Sequence, residues 1–333
     1  MWKPVLSILL IAMLQACEMR PPHHDEQANG CAQQKITVAF TSQPQSTLVH
    51  VAMVKGYFAA QGLDVQPLLH TYGRAALQSV IEGKADLATV AETPVMFSIL
   101  KGDKIFVIAN IEASNANNEV VARRDAGISV AADLVGKRIG FTPGTTSDFF
   151  LDSLLTAHKL TRRQIRGVAL KPEEMQHAIM AQEVDAVSTW NYPLTQIKQQ
   201  LGANGSVFYD RQIYTETFNI AAMQDFVRQN PKTIACFLRA VIQAETYVAW
   251  NQEDAQTIVA VATKVDKGLV RAAWGAFNYQ VVLHQTLLIT LEDETRWAIR
   301  NKLTDKTVMP DYLSYIHLDS LRAVKPEAIN MTR

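Results

Sequence analysis

The sequence predicts an α/β protein made of two similar lobes that face each other across a cleft. Short apolar strands alternate with amphipathic helices from Lys35 to about Thr215, the pattern of a parallel sheet flanked by helices. The alternation restarts after Asp133-Leu134: Asp86-Leu87-Ala88-Thr89 matches Asp185-Ala186-Val187-Ser188, and Pro94 falls opposite Pro193 without a gap. At 333 residues the chain is long enough for two lobes of ordinary size and a full core. Ligands of such sheets lie beyond the carboxyl ends of the strands, so the loops following those strands are the candidate site.

In the first lobe, Lys35 to Phe40 forms a strand, the loop Thr41 to Ser46 follows, and a helix runs to Ala60 with Gly62 as its stop. Leu63 to Leu69 is the second strand, His70 to Arg74 a turn, and Ala75 to Glu82 a helix stopped by Gly83. Asp86 to Val90 is the third strand, Glu92-Thr93-Pro94 opens the next helix, and Lys104 to Ile111 returns as a strand.

The second lobe turns on the stretch from Lys137 to Leu155. Arg138 to Thr142 forms a short strand, Pro143-Gly144 breaks it, and Thr145, Thr146 and Ser147 supply hydroxyls where a helix starts. Phe150, Leu151, Leu154 and Leu155 then fall at helical spacing. Unpaired N–H groups, the helix dipole and three hydroxyls together make a seat for an anion. The same hydroxyls serve equally as plain helix caps. A helix over Glu173 to Ala181 feeds the strand Asp185 to Trp190, and Asn191-Tyr192-Pro193 closes it.

From Asn230-Pro231 onward the chain is helical, with Ile234, Phe237, Leu238, Val241 and Val248 on one face. Gln252 to Thr263, Lys267 to Phe277 and Glu292 to Leu303 are further helices, and Trp250, Trp274 and Trp297 are expected in core or groove packing.

Composition narrows the function. The formal charge is zero and no basic run occurs, which argues against nucleic acid as a partner. The three cysteines, Cys17, Cys31 and Cys236, show no metal-ligand spacing, and no metal or cofactor is expected. Residues 1–16 form an export signal: Lys3 gives the positive start and Val5 to Leu14 a short apolar run, too short to span a bilayer. Leu14-Gln15-Ala16-Cys17 resembles the bacterial lipobox, with Gln15 a departure from it, which implies lipidation of Cys17. Residues 17–34 are polar, carry His23-His24 and read as a tether.

Several phrases carry a wider resemblance. They are Gly56-Tyr57-Phe58 with Gly62-Leu63-Asp64-Val65, Gly83-Lys84-Ala85-Asp86-Leu87-Ala88-Thr89, and Asp133 to Gly140 followed by Thr142 to Ser147. Glu183-Val184-Asp185-Ala186, Trp190 to Pro193, Asn230-Pro231 and Phe237-Leu238-Arg239-Ala240 complete them. In these the chain resembles the solute-binding proteins of ABC importers of nitrate, sulfonate and taurine, which share a fold with the thiamine-pyrimidine precursor binders (NMT1/THI5-like). The resemblance implies a two-lobed, type II periplasmic-binding-protein-like fold with two crossover hinge strands, near Ile111 to Ala122 and Tyr214 to Ala222, and a helical C-terminal extension. It divides the chain into a discontinuous lobe 1 (residues 35–115 and 220–333) and lobe 2 (residues 116–219).

By the same resemblance the cleft is lined by the loop Gln43 to Ser46, by Gly73 and Arg74, Glu92 and Thr93, and Ser114 and Asn115. Thr145, Thr146, Ser147, Trp190, Asn191 and Asn219 form the remaining wall. Arg74 after a glycine at a helix start suits a bidentate grip on an anion, and Trp190 at a strand end suits stacking. Glu92 suits a ligand bearing an amine or ring N–H, or else pairs with Arg74. The implied function is trapping a small anionic or zwitterionic solute (a sulfonate, taurine or nitrate) outside the cytoplasm. A monomer lipid-anchored through Cys17 would deliver it to permease subunits. Binding of a thiamine-pyrimidine precursor and ligand sensing for a receptor are alternatives. A pyrimidine-synthase-like enzyme is disfavoured, because that family's cysteine-rich motif is missing and no catalytic triad motif stands in the sequence.

Overall fold

The structure, a computed structural model, describes Cys31 and residues 33–331. The expected signal segment 1–16, Cys17 and most of the tether lie outside the described residues. β1 (Gln34–Thr41) leads through a 3-10 turn (Pro44–Ser46) into α1 (Thr47–Val54) and α2 (Tyr57–Ala60). The sequence predicts one helix here, but Gly56 sits at φ +72°, in the left-handed region that ends a helix, and splits it in two. β2 (Leu63–His70), α3 (Gly73–Ile81), β3 (Leu87–Ala91), α4 (Glu92–Lys101) and β4 (Ile105–Ser114) complete the first alternation.

Residues 115–118 carry the chain to β5 (Glu119–Arg123). β6 (Arg138–Phe141), α5 (Thr146–Ala157), β7 (Arg166–Ala169), α6 (Met175–Met180), β8 (Ala186–Thr189), α7 (Pro193–Leu201) and β9 (Gly205–Phe208) then repeat the grammar. β7 and β9 are too short and polar to stand out in the sequence; they form because an edge of the sheet is open to them. The chain returns along β10 (Glu216–Met223) and continues as α8 (Gln224–Gln229), α9 (Pro231–Trp250), α10 (Gln252–Thr263), α11 (Lys267–Trp274) and α12 (Gln285–Arg300).

The strands make two five-stranded sheets, ordered β2-β1-β3-β10-β4 and β7-β6-β8-β5-β9. In the first, β1 pairs in parallel with β2 and β3, and β10 runs antiparallel between β3 and β4. In the second, β6 pairs in parallel with β7 and β8, and β5 runs antiparallel between β8 and β9. Each sheet thus receives one reversed strand at the place where the chain has just crossed from the other.

The repeat seen in the sequence is repeated in hydrogen bonds. Asp86 accepts the Thr37 N–H at 2.7 Å, and Asp185 accepts the Arg138 N–H at 2.8 Å, so each strand-leading aspartate pins a neighbouring parallel strand, β1 or β6. Ser46 Oγ accepts from the Thr41 N–H at 3.3 Å and Ser147 Oγ from the Thr142 N–H at 3.0 Å, closing the same turn twice.

The C-terminal helices cover the first sheet. Phe237 of α9 stacks on Phe58 with ring centroids 5.0 Å apart, and Cys31 is joined to Cys236 by a disulfide. Trp274 and Trp297 are buried as expected, whereas Trp250 is 84% exposed. It is the last residue of α9, two positions beyond Val248, where the buried stripe ends. α12 begins at Gln285, seven residues before the periodic pattern suggested, because His284 caps it by accepting the Thr286 N–H.

Candidate functional site

A small cavity lies where the carboxyl ends of the parallel strands of both sheets meet. From the first sheet come Gln43 and Gln45 after β1, Tyr72, Gly73 and Arg74 after β2, and Ala91 and Pro94 after β3. From the second come Thr145 and Thr146 after β6 and Trp190 after β8. Glu216 and Phe218 of β10 complete the lining. Its volume is about 20 Å³, room for about one water molecule.

Glu216 is the node of this site. It is 1% exposed and accepts hydrogen bonds from Gln45 Nε2 (3.1 Å), Asn117 Nδ2 (3.0 Å) and Asn118 Nδ2 (2.5 Å). The Thr146 hydroxyl also faces it, so groups from both sheets and from the first crossover converge on one carboxylate. Burial pushes this carboxyl above the usual range, and the surrounding amides oppose the rise. Gly73 is required at the wall: a Cβ there would lie 2.9 Å from the Val90 backbone and 3.3 Å from the Phe218 ring.

Six of the sequence-derived residues line the cavity: Gln43, Gly73, Arg74, Thr145, Thr146 and Trp190. Arg74 donates from Nη1 to the Pro143 carbonyl at 2.7 Å, which ties the two sheets together at the exposed mouth. Two of the three hydroxyls at the α5 start hold the turn: Thr145 Oγ1 donates to the Thr142 carbonyl and Ser147 Oγ accepts from Thr142. The Gly144 N–H is taken by the Asp148 carboxylate at 2.9 Å, so an acid of this chain already sits at the presumed anion seat.

The other expected residues lie beside the cavity. Ser46 bonds Thr41 and Thr89 within the first sheet, and Ser114 donates to the Ala276 carbonyl. Asn115 is exposed, and its neighbours Asn117 and Asn118 reach inward in its place. Asn191 accepts from the Thr195 hydroxyl, and Asn219 is buried between β3 and β4, joined to Asn110 and Val90. Glu92 does not meet Arg74. It accepts from the Tyr214 hydroxyl and from the Thr217 N–H and hydroxyl, and burial next to Glu216 raises its pKa. Thr93 donates to the buried Glu294 of α12.

Gln45 falls within the loop Gln43 to Ser46 that the resemblance marks as cleft lining, whereas Glu216 follows no motif. Glu216 reaches the site only because β10 passes between the two halves, a fact of topology.

A second contact joins the halves at α12. Trp297, 1% exposed, donates from Nε1 to Asp152 of α5 at 2.7 Å. Its ring meets Phe97 of α4 and Phe149 of α5 edge-on, with centroids 5.9 Å and 5.3 Å away. Arg162 holds the other Asp152 oxygen at 2.8 Å and Asp148 at 2.6 Å. A groove of about 520 Å³ runs outward from Arg74 and Pro94 past Phe97 to Leu303.

The profile of the NMT1/THI5-like family matches residues 43–255, more than half of the chain. The chain belongs to the NMT1/THI5-like family. Among relatives of this NMT1/THI5-like chain, a Brucella abortus protein named as a binding protein is 27% identical over 231 residues, spanning 67% of this chain and 69% of its own. The formylaminopyrimidine-binding protein of Halalkalibacterium halodurans is 24% identical, spanning 77% of each chain. The alkanesulfonate-binding protein SsuA of Xanthomonas axonopodis, solved with MOPS, superposes with a TM-score of 0.74 at 14% identity, covering 87% of this chain and all of that one. The nitrate-binding protein NrtA of Synechocystis gives 0.74 at 15% identity, covering 89% of both. The fold is therefore the two-lobed periplasmic-binding-protein fold, and these relatives and neighbours are named as binding proteins.

Proposed function

We propose that this chain is the extracytoplasmic solute-binding protein of an ABC importer, trapping a small anionic or zwitterionic ligand between two lobes. The observation that carries the reading is the cavity built at the carboxyl ends of both sheets, between two short crossovers. At about 20 Å³ it excludes any organic solute, so admission requires the halves to part. The two lobes, each one sheet with its helices, would rotate about the crossovers, residues 115–118 and 209–215, as a hinge. The Cys31–Cys236 disulfide supports export, since disulfides persist in oxidising compartments. Anchoring through a lipidated Cys17, action as a monomer and delivery to permease subunits complete the proposal. The protein binds its ligand without transforming it.

Two ligand classes compete. Likeness to sulfonate- and nitrate-binding proteins supports an aliphatic sulfonate, taurine or nitrate. The Glu216 carboxylate and the Trp190 ring, both lining the cavity, support a thiamine-pyrimidine precursor, whose ring N–H and amino groups would face the carboxylate. Ligand sensing for a receptor would use the same closure, and neighbouring genes for a permease and an ATPase would separate it from transport. The test is calorimetric titration with aliphatic sulfonates, nitrate and aminopyrimidines, paired with small-angle scattering. Submicromolar to micromolar binding with a fall in radius of gyration is expected. Consumption of the ligand, or saturable binding without closure, refutes the reading.

A further inference from the structure

We propose that closing the two lobes takes up protons on Glu92, Glu112 and Glu294, three buried glutamates gathered around Glu216, so that acid favours the closed form and alkali opens it. The proposal rests on the reading that the lobes close over a ligand, and adds what regulates that closure. Contacts tie the cluster together. Glu92 accepts the N–H of Thr217, the residue after Glu216, at 2.8 Å, and Thr93 donates to Glu294 of α12. Glu112 of β4 lies opposite Phe218, two residues from Glu216 on β10. All four acids are 1% exposed or less.

Hydrogen-bond donors are shared unequally among them. Glu216 receives side-chain amides from Gln45, Asn117 and Asn118 and is the member best able to stay ionised. Glu294 Oε2 and both oxygens of Glu112 have no partner. The other titratable groups facing the cluster are Tyr214 and Tyr312, Tyr279 beside Glu112, and Asp293 beside Glu294. Nearby bases are engaged elsewhere: Arg74 donates to Pro143, Arg162 holds Asp148 and Asp152 on α5, Arg296 pairs with Glu292 and Asp293, and His284, which lines a pocket with Glu112, caps α12. Burial and then the like charge of Glu216 push Glu92 up to about 8, with its hydrogen bonds opposing. Burial and the neighbouring acids carry Glu112 and Glu294 well above the usual carboxylate range.

The cluster sits where the halves join. Tyr214, at the end of the second crossover, places its ring 5.2 Å from Phe149 and 6.5 Å from Phe150 of α5 while its hydroxyl meets Glu92. Thr146 of α5 faces Glu216, and Trp297, one turn along α12 from Glu294, bonds Asp152 of α5. Parting the lobes draws these α5 groups away and lets water reach the acids, which then release protons; closing reverses this. A group whose pKa is higher closed than open supports closure fully below its open value. That support is lost as pH rises towards its closed value, about 8 for Glu92.

The test is calorimetry of the full chain with ethanesulfonate and nitrate, anions whose own charge does not change across the range used. At about pH 7, in bis-Tris and in Tris, whose ionisation enthalpies differ, binding should take up about one proton. The dissociation constant should rise about tenfold per pH unit between about pH 5.5 and 7.5. Glu92→Gln keeps the shape but cannot titrate. It should cut the uptake by at least about half and flatten the pH slope, a readout that a purely structural role does not move. Glu294→Gln should do the same, and carries the test if the first variant fails to fold. Binding without proton uptake, or uptake unchanged in the folded variants, overturns the proposal and leaves the ligand reading standing. Should neither anion bind, the anionic-ligand reading fails, and a dye pair on α3 and α7 decides the proposal. A distance between lobes that lengthens from about pH 5.5 to about 8.5 supports it, and a constant distance overturns it.

Discussion

Replacing Trp297 by Phe tests whether α12 latches the closed form. The substitution keeps an aromatic ring between Phe97 and Phe149 but deletes the N–H that reaches Asp152 at 2.7 Å. A hydrogen bond to a charged acceptor contributes about 1.5–3 kcal/mol. Asp152 keeps Arg162 on its other oxygen at 2.8 Å, so the acceptor is not stranded, and a loss of about 2 kcal/mol is a fair central value. If the bond exists only when the lobes are closed, that loss falls wholly on the closed state and lowers its weight about thirtyfold. The dissociation constant of any ligand that binds by closure should rise by the same factor. Calorimetry gives the affinity, and a dye pair on α3 and α7 reports the distance between lobes. Trp297→Phe should widen the ligand-free distance distribution and raise the ligand concentration needed to narrow it. A variant that melts lower while distance and affinity stay at wild-type values would refute the latch, since the bond would then persist in both states.

Three further outcomes are expected. Arg74→Ala removes the exposed donor to Pro143, about 1 kcal/mol or more, and should weaken ligand binding five- to tenfold by calorimetry, with Arg74→Lys recovering little because a point charge does not reproduce the guanidinium fork. His50, 3% exposed with its ring nitrogen on the Thr41 carbonyl, is pushed down to about 4 by burial, the backbone bond opposing the shift. Its folded value lies below its unfolded one, so its stability contribution is complete above about pH 6.5 and is lost as pH falls towards 4. Between pH 7.5 and 4.5 this amounts to about 2.5 kcal/mol in urea unfolding, an increment that His50→Gln should remove. Finally, Cys17→Ala should release the protein from membranes or block its maturation; a variant still in the carbonate-washed membrane fraction would end the lipoprotein reading.

The α/β alternation, the internal repeat and the turns at the ends of the strands are legible in the sequence. These are local: glycine stops, prolines at the starts of α7 and α9 and apolar periodicity act within about ten residues of chain. That is why Gln43, Gly73, Arg74, Thr145, Thr146 and Trp190, each in a loop or helix start just after a strand, are legible as candidates. Only the tertiary structure decided which polar groups face one another. Glu92 and Glu216 are both acids near strand ends, yet one turns to Tyr214 and the other to the cavity, because β10 reverses direction between β3 and β4. Glu112 reads in sequence as one polar residue in an apolar strand; its place beside Phe218 follows from a register fixed across about a hundred intervening residues. Trp250 and Trp297 look alike as helix tryptophans, and only packing exposes one and wedges the other between α4 and α5. Periodicity identifies the face of an element that is buried, but the partner of that face is set by long-range pairing, where contacts must offset the entropy of closing long loops.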